Sequence, residues 1–397
     1  MGNIKDKTAI VGMGICKFGE LWEQSRNDII IDAVYEALED AGMELKDIEA
    51  GVVGTHLGGL TSACLAEPLQ WDNVPITRVE NNCTSGSDAL RVACLSVASG
   101  MYDSVLAVGF EKCKDSGAGG LTWPSGIGTH PVASFPSGPA GFAMAAVRYF
   151  HKYGIDPVAG KRTIAKVAVK NHHNGTMSPK AMFQRELTME AVVNAPMIAW
   201  PLGLFDCCPT TDGASAAIVV RADMAKTFRD DYVLVKGLGL AIGKEDDYRP
   251  FTKGKTSDYT FWVETAAAAR QAYEQAGIKN PRKEIDIIDC HDCFTITELI
   301  NGESLLVWEK GTGKQEIDSG SFTLSGDMPI NTDGGLKAFG HPLGASGIRM
   351  VHEVYKQIQG KAGDRQLKNP RIGVAHCQGG NPSGGLQASV QVFGARD

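Results

Sequence analysis

Four short motifs place thiols and imidazoles where the chain bends. Cys83 stands in Asn82-Cys83-Thr84-Ser85-Gly86, a turn that enters a helix. Unpaired N–H groups and the helix dipole at such a start favour a thiolate. The same N–H groups can bind an oxyanion. By position alone, Cys83 reads as readily as a small buried apolar residue. His341 stands in Gly340-His341-Pro342-Leu343-Gly344-Ala345-Ser346-Gly347, whose glycines let the backbone bend and a ligand approach. Such a His can take a thiol proton or cap a helix. His291 follows a buried strand in His291-Asp292-Cys293-Phe294, where polar residues arrive at a strand end. It can donate to a thioester oxygen or be a satisfied core histidine. Cys377 ends a strand in His376-Cys377-Gln378-Gly379-Gly380, a second thiol beside glycines that expose N–H groups.

The other candidates carry weaker signals. Cys290 and Cys293 form a Cys-x-x-Cys pair, but no second pair or His pair stands near, so no metal site is expected. Cys207-Cys208 reads as loop packing, and His172-His173 as solvated or hydrogen-bonded. His56 repeats His291 by position, without a partner motif.

That repetition runs through the chain. A strand at Thr8–Gly12 leads to a helix with Ile30, Ala33, Val34, Ala37, Leu38 and Ala41 at helical spacing, stopped by Gly42. Val52-Val53 begins the next strand. From residue 232 the plan returns: strand Tyr232–Val235, a helix bearing Ala266, Ala269, Ala272, Tyr273 and Ala276, a stop at Gly277, and strand Ile287-Ile288. From Gly42 to His56 is 14 residues, and from Gly277 to His291 is also 14. Each half then has its glycine-marked turn, a helix, and a strand, Val105–Val108 or Arg371–Ala375. Strands alternating with helices imply mostly parallel sheets covered on both faces. Two α/β halves of βαβαβ type would pack about a pseudo-twofold axis, and their equivalent turns would bring Cys83 and His341 together. The expected organisation is an N-terminal half at 1–111 completed by 212–228, an inserted loop lobe for substrate at 112–211, and a C-terminal half at 229–397. The lobe is rich in Gly, Pro, Ser and His, and a loop of that length is usually functional. Its Trp123, Phe135, Phe142, Phe183 and Trp200 can line an apolar pocket or belong to a core.

Bulk properties bound the function. The 397 residues are 43% hydrophobic and 21% charged, an ordinary globular composition too long for one simple core. A net charge of −7 argues against general nucleic-acid binding. Ten scattered cysteines read as reduced intracellular thiols. No signal peptide and no run of 18 apolar residues is present, so a cytoplasmic protein without a membrane span is expected.

Taken in order and spacing, the four motifs resemble the thiolase superfamily over essentially the whole chain. That resemblance implies a duplicated thiolase fold in five layers, αβαβα. It implies Cys83 as acyl-carrying nucleophile, His341 as its base, and Cys377 of Cys-x-Gly as acid/base. It also implies oxyanion-binding backbone N–H groups at Cys83 and Gly379. Where many thiolases have Asn-Glu-x-Phe, this chain has His-Asp-Cys-Phe, similar to the sterol-carrier-protein-type branch and its prokaryotic relatives. Lys170-Asn171-His172-His173-Asn174 and Asp206-Cys207-Cys208-Pro209 resemble the same branch. In some of its members the Cys of His-Asp-Cys-Phe is the proposed acid/base, which makes Cys293 the alternative to Cys377.

The implied reaction is cleavage or formation of a 3-oxoacyl-CoA. Coenzyme A is a substrate, and no cofactor is permanently bound. Acetoacetyl-CoA is the default substrate, and bulky esters such as benzoylsuccinyl-CoA fall within the branch. A homodimer is implied, as is a small zinc-ribbon/OB-fold partner subunit. No fused sterol-carrier domain is expected, since the sequence stops just after the core. No phosphate-loop motif marks the CoA-binding residues. The alternatives are acyl transfer to a non-CoA carbon acceptor, a hydroxymethylglutaryl-CoA synthase or ketosynthase, and a non-catalytic scaffold of this fold.

Overall fold

The computed structural model describes residues 3–115, 137–243, 259–382 and 385–396. The first half opens with β1 (Thr8–Ile15) and α1 (Arg26–Ala41). Ser25 and Asp28 close a capping box at the start of α1, and Gly42 ends it at φ 66°. Ile29, Ile30, Ala33, Val34, Ala37, Leu38 and Ala41 form its buried stripe. Each Ile, Leu or Val so buried stabilises the fold by about 1.5–3 kcal/mol. β2 (Ala50–Gly54), β3 (Ile76–Val79), α2 (Ser85–Ala98) and β4 (Ser104–Glu111) follow. After α3 (Gly138–Lys152) and α4 (Pro157–Thr176) the half closes with β5 (Gly213–Arg221). The second half repeats the plan: β6 (Val233–Ile242), α5 (Val263–Ala276), β7 (Ile287–Cys290), α6 (Thr295–Ser304), α7 (Leu343–Ile358), β8 (Ile372–Asn381) and β9 (Gly385–Gly394). Gly277 ends α5 at φ 83°, as Gly42 ends α1.

Among the described residues the strands run β3-β2-β4-β5-β1-β6-β9-β8-β7. The order is a palindrome about the β1–β6 contact, where Ala9 faces Leu234 and Ile10 faces Val233. β2 matches β7, β4 matches β8, and β5 matches β9. Only β3 lacks a full strand opposite; Ile330 bridges Ile288 in its place.

The expectation of mostly parallel pairing is corrected. β2–β3, β2–β4 and β7–β8 are parallel, while β4–β5, β5–β1, β1–β6, β6–β9 and β9–β8 are antiparallel. β8 and β9 are joined by too short a connection for a crossover, so they can only return antiparallel.

The helices complete five layers. α1 covers β1 and β5 on one outside, and α5 covers β6 and β9 on the other. α2 and α7 pack on each other in the middle, and each also touches strands of the opposite half. Glycines permit that closeness. A Cβ on Gly86 would lie 2.1 Å from the Gly344 carbonyl oxygen, and one on Gly347 would lie 2.2 Å from Ser87 Oγ.

The segment expected as a loop lobe is helical over α3 and α4. Phe142, Ala145, Ala146, Tyr149 and Phe150 make one buried face, and Ile164, Ala165, Val167 and Ala168 another. The Gly, Pro and Ser content had masked this helical spacing. Gly117–Gly120 and Ser134–Pro136, which prompted the loop reading, lie outside the described residues, as do Trp123 and Phe135. No helix among the described residues is long and apolar enough to cross a membrane.

Candidate active site

The turn bearing Cys83 is held by its own side chains. Asn82 takes a left-handed conformation at φ 52°, which Asn tolerates better than most residues. Thr84 Oγ1 donates to the Asn81 carbonyl and Ser85 Oγ to the Asn82 carbonyl, both at 2.6 Å. Asn82 Nδ2 reaches Gln387 Oε1 at 2.8 Å, which ties the turn to β9 of the other half. Gly379 lies against this turn: a Cβ there would approach Asn81 O to 2.7 Å.

His341 enters from the second half. Gly340, at φ 115°, makes the bend. Ser346 Oγ donates to the Pro342 carbonyl at 2.9 Å and lies 2.8 Å from His341 Nδ1. Its single proton is thereby used, so it accepts from Nδ1–H. Nε2 is left as a lone pair, buried and without a hydrogen-bond partner among the described residues. Burial pushes this imidazole down to about 3.

Both turns reach one cavity of about 60 Å³. Its walls include Cys83, His341, His291, Cys293, Cys208 and His56. Cys83 and His341, 258 residues apart in sequence, therefore meet at one site. A larger groove of about 610 Å³, between α4 and residues 317–325, includes no thiol among its walls. Of the thiols and imidazoles singled out in the sequence, Cys83, Cys293, His291 and His341 converge on the smaller one.

The His291 and His341 rings stand edge to face, with centroids 5.1 Å apart. Burial first, then His341, His376 and Arg349, push His291 well below its ordinary range, so it is neutral. Cys377 Sγ donates to the Cys83 carbonyl at 2.9 Å and lies 3.7 Å from His291 Nδ1. Burial pushes that thiol up to about 12, opposed by Arg349. Cys293 stands on the cavity wall, its Sγ 3.9 Å from Thr297 Oγ1. Burial raises it too, reinforced by Cys208 and Cys83. Gly380 and Asn381, rather than Gly379, line the cavity.

One electrostatic expectation is corrected. Burial, reinforced by Cys377 and Cys208, pushes the Cys83 thiol well above its ordinary 9.0. The dipole of the helix start does not overcome desolvation, and the resting pair is neutral thiol and neutral imidazole.

Asp292 is structural. Its carboxylate accepts from the N–H of Leu336 at 2.6 Å and from Asn171 Nδ2 at 2.7 Å, which clamps His291 to the segment leading into His341. Asn171 and Lys170, noted above only for resemblance, build this clamp: Lys170 Nζ reaches Glu298 Oε1 at 2.6 Å. His172 stacks on Phe183, and His173 pairs with Glu186 at 2.7 Å. Of the aromatic residues of the insert, Phe142 lines the cavity and stacks on Phe294 at 4.7 Å. Trp200 is 53% exposed and away from it.

Sequence reasoning set aside two cavity residues, Cys208 and His56. The repeat had placed His56 opposite His291. The partner missing from the motif is Glu80, whose Oε1 lies 2.8 Å from His56 Nδ1. It comes from just beyond β3, where no sequence pattern pointed.

A duplicated α/β fold that brings a thiol from one half and an imidazole from the other to one cavity fits an acyl-transfer enzyme. The Thiolase, N-terminal domain family model matches residues 8–120, and the Thiolase C-terminal domain-like model matches residues 251–394. The chain is 39% identical to the acetyl-CoA acetyltransferase of Methanothermobacter thermautotrophicus, over 97% of this chain and 98% of that one. It is 33% identical to sterol carrier protein 2 of Gallus gallus, over 93% of this chain and 69% of that one. Among solved structures, the Ltp2-ChsH2(DUF35) aldolase superposes with TM-score 0.83 and 25% identity, covering 99% of each chain. The chain belongs to the thiolase superfamily, in its sterol-carrier-protein-type branch, and is an acyltransferase.

Proposed function

We propose that this enzyme cleaves, or in reverse forms, a 3-oxoacyl-CoA through an acyl-Cys83 intermediate, with coenzyme A as acyl acceptor. The convergence of Cys83 and the unpartnered Nε2 of His341 on one cavity carries this reading. His341 takes the Cys83 proton as sulfur attacks the 3-keto carbon. The C2–C3 bond breaks, and its electron pair leaves as the enolate of the shorter acyl-CoA. His291 and His341 donate to the enolate oxygen, and Cys377 protonates C2. The Cys377 thiolate then takes the proton of the coenzyme A thiol as that sulfur attacks acyl-Cys83, and His341 returns its proton to the departing Cys83 sulfur. The backbone N–H of Cys83 holds the tetrahedral oxyanion; Gly379 is set behind Gly380 and Asn381, which stand at the wall in its place. Cys377 is assigned the acid/base role over Cys293 because it touches both His291 and the Cys83 carbonyl.

Acetoacetyl-CoA is the expected substrate, since the small cavity and the acetyltransferase relative favour a short acyl group. A small partner subunit is part of the proposal, supported by the DUF35 component in the name of the aldolase neighbour. A homodimer is the proposed assembly of this chain. The test is thiolysis over a panel of 3-oxoacyl-CoA esters, with and without co-purifying subunits, and mass spectrometry of acyl-Cys83. The aldolase neighbour favours one second reading, retro-aldol cleavage of a 3-hydroxyacyl-CoA without a covalent step. Carbon–carbon cleavage with no acyl group on Cys83 would establish that reading instead.

A further inference from the structure

Two imidazoles face the cavity from equivalent strand ends, His291 after β7 and His56 after β2. The first has a place in the reaction proposed above. The second is built into the wall as firmly. Its backbone N–H donates to Glu111 Oε2 at 2.9 Å, and that buried carboxylate also accepts from the N–H of Leu57, at 2.8 Å, and from the N–H of Gly344 at the start of α7. Its ring is held by Glu80: Oε1 lies 2.8 Å from Nδ1. The same oxygen accepts from the N–H of Asn82 at 2.6 Å. One carboxylate oxygen therefore ties the His56 ring to the backbone one residue before Cys83.

The pKa of His56 is displaced in the opposite direction to that of His291. The hydrogen bond to Glu80 pushes it above its ordinary 6.5, against desolvation, with Glu80 and Glu111 adding and Arg78 opposing. Glu80 is in turn lowered, first by His56. Arg78 is occupied by the Thr55 carbonyl at 2.9 Å. The tautomer decides what the ring can do. In the neutral ring Nδ1–H bonds Glu80 and Nε2 is an acceptor. Only the imidazolium holds Glu80 and donates from Nε2 as well.

We propose that His56 is a catalytic hydrogen-bond donor, through Nε2–H, to the carbonyl oxygen of the acyl group carried on Cys83. That oxygen becomes an oxyanion first when Cys83 adds to the 3-keto carbon and again when the group is transferred to coenzyme A, so His56 serves both half-reactions. This rests on the thiolase reading. In that transfer the sulfur of coenzyme A adds to the acyl carbon, and the oxygen becomes a tetrahedral oxyanion. The C–S bond to Cys83 then breaks; the proton of the coenzyme A thiol has passed to Cys377, and the proton held on His341 passes to Cys83. His56 stabilises the oxyanion and gives up no proton overall. Its cationic form suits a developing negative charge, which the neutral His291 cannot match.

Rapid-quench measurement of the two half-reactions tests this, with the 3-oxoacyl-CoA that the wild type turns over fastest. His56→Leu slows both the formation of the acyl group on Cys83 and its CoA-dependent loss, by about 100-fold each. His56→Gln, which keeps an amide donor, recovers at least about tenfold of that loss. Wild-type deacylation falls as pH rises through the raised His56 pKa. His56→Gln lacks that limb, and Glu80→Gln moves it to lower pH. Unchanged deacylation in His56→Leu overturns the proposal. So does a fall that Gln does not rescue, which marks a merely structural role. If His56→Leu fails to fold, the pH limb in His56→Gln and Glu80→Gln decides alone. A wild type that never carries an acyl group on Cys83 instead overturns the thiolase reading, and the His56 assignment with it.

Discussion

The two halves share a backbone plan and differ in what holds their equivalent turns. In the first half, side-chain hydrogen bonds from Thr84 and Ser85 and a left-handed Asn82 fix the sulfur of Cys83. In the second, a glycine bend at Gly340 and one hydroxyl, Ser346, fix the imidazole of His341. The strand ends show the same contrast. A carboxylate holds His56 and raises it, while burial, with His341, His376 and Arg349 adding, lowers His291. Duplication set where these side chains point. Their immediate partners set which charge they carry.

Turnover separates the halves most sharply. Cys83→Ala should lose more than about 10⁴-fold in thiolysis, since both half-reactions pass through its sulfur. Unaltered circular dichroism must accompany the loss. The second-half turn supplies only proton transfer and a hydrogen bond. His341→Ala should therefore cost about 10²–10⁴-fold. A variant retaining a tenth of wild-type activity would remove His341 as the base. Between the two thiols, Cys377→Ala should cost about 100-fold. Cys293→Ala should cost under about tenfold, because no contact joins its sulfur to His291. The opposite order in steady-state assays moves the acid/base role to Cys293.

Packing between the halves gives a smaller effect on a different measurement. A Cβ on Gly344 would lie 2.3 Å from Phe110 O and 2.5 Å from Gly54 O, backbone atoms that cannot rotate away. Gly344→Ala should destabilise by about 1–3 kcal/mol, read as a lower urea midpoint. A Cβ on Gly42, at the end of α1, meets nothing within 4 Å, so Gly42→Ala costs only its positive-φ strain. Equal losses at the two sites would show that the middle layer is not tightly packed.

The duplicated plan was legible because helical spacing and stop glycines repeat at matching intervals. Gly42 and Gly277 both end helices in the left-handed conformation. The convergence of Cys83 and His341 followed from that symmetry. Strand direction was less legible, since helix–strand alternation says nothing of a closing hairpin such as β8–β9. The α3 and α4 helices were hidden by a loop-like composition around them. Glu80 was invisible as the partner of His56 because their pairing comes from the parallel neighbours β2 and β3, not from a local motif. Charge was the least legible of all. A helix start argues for a thiolate, and only coordinates show that Cys83 is buried enough to reverse it.

That reversal gives the smallest expected effect, and it sharpens the contrast between resting and reacting enzyme. With the Cys83 thiol raised well above 9.0 and His341 lowered to about 3, neither carries charge near neutral pH. Alkylation of free enzyme by iodoacetamide, followed at the Cys83 peptide by mass spectrometry, should keep rising with pH through 9. A plateau reached near neutral pH would reveal a thiolate–imidazolium pair. Removing His341 takes away no resting ion pair, so His341→Ala should change the alkylation rate by less than about threefold. The same substitution that costs orders of magnitude in turnover would then leave the resting sulfur almost as reactive as before. Proton transfer to His341 in that case begins only when substrate carbon meets sulfur.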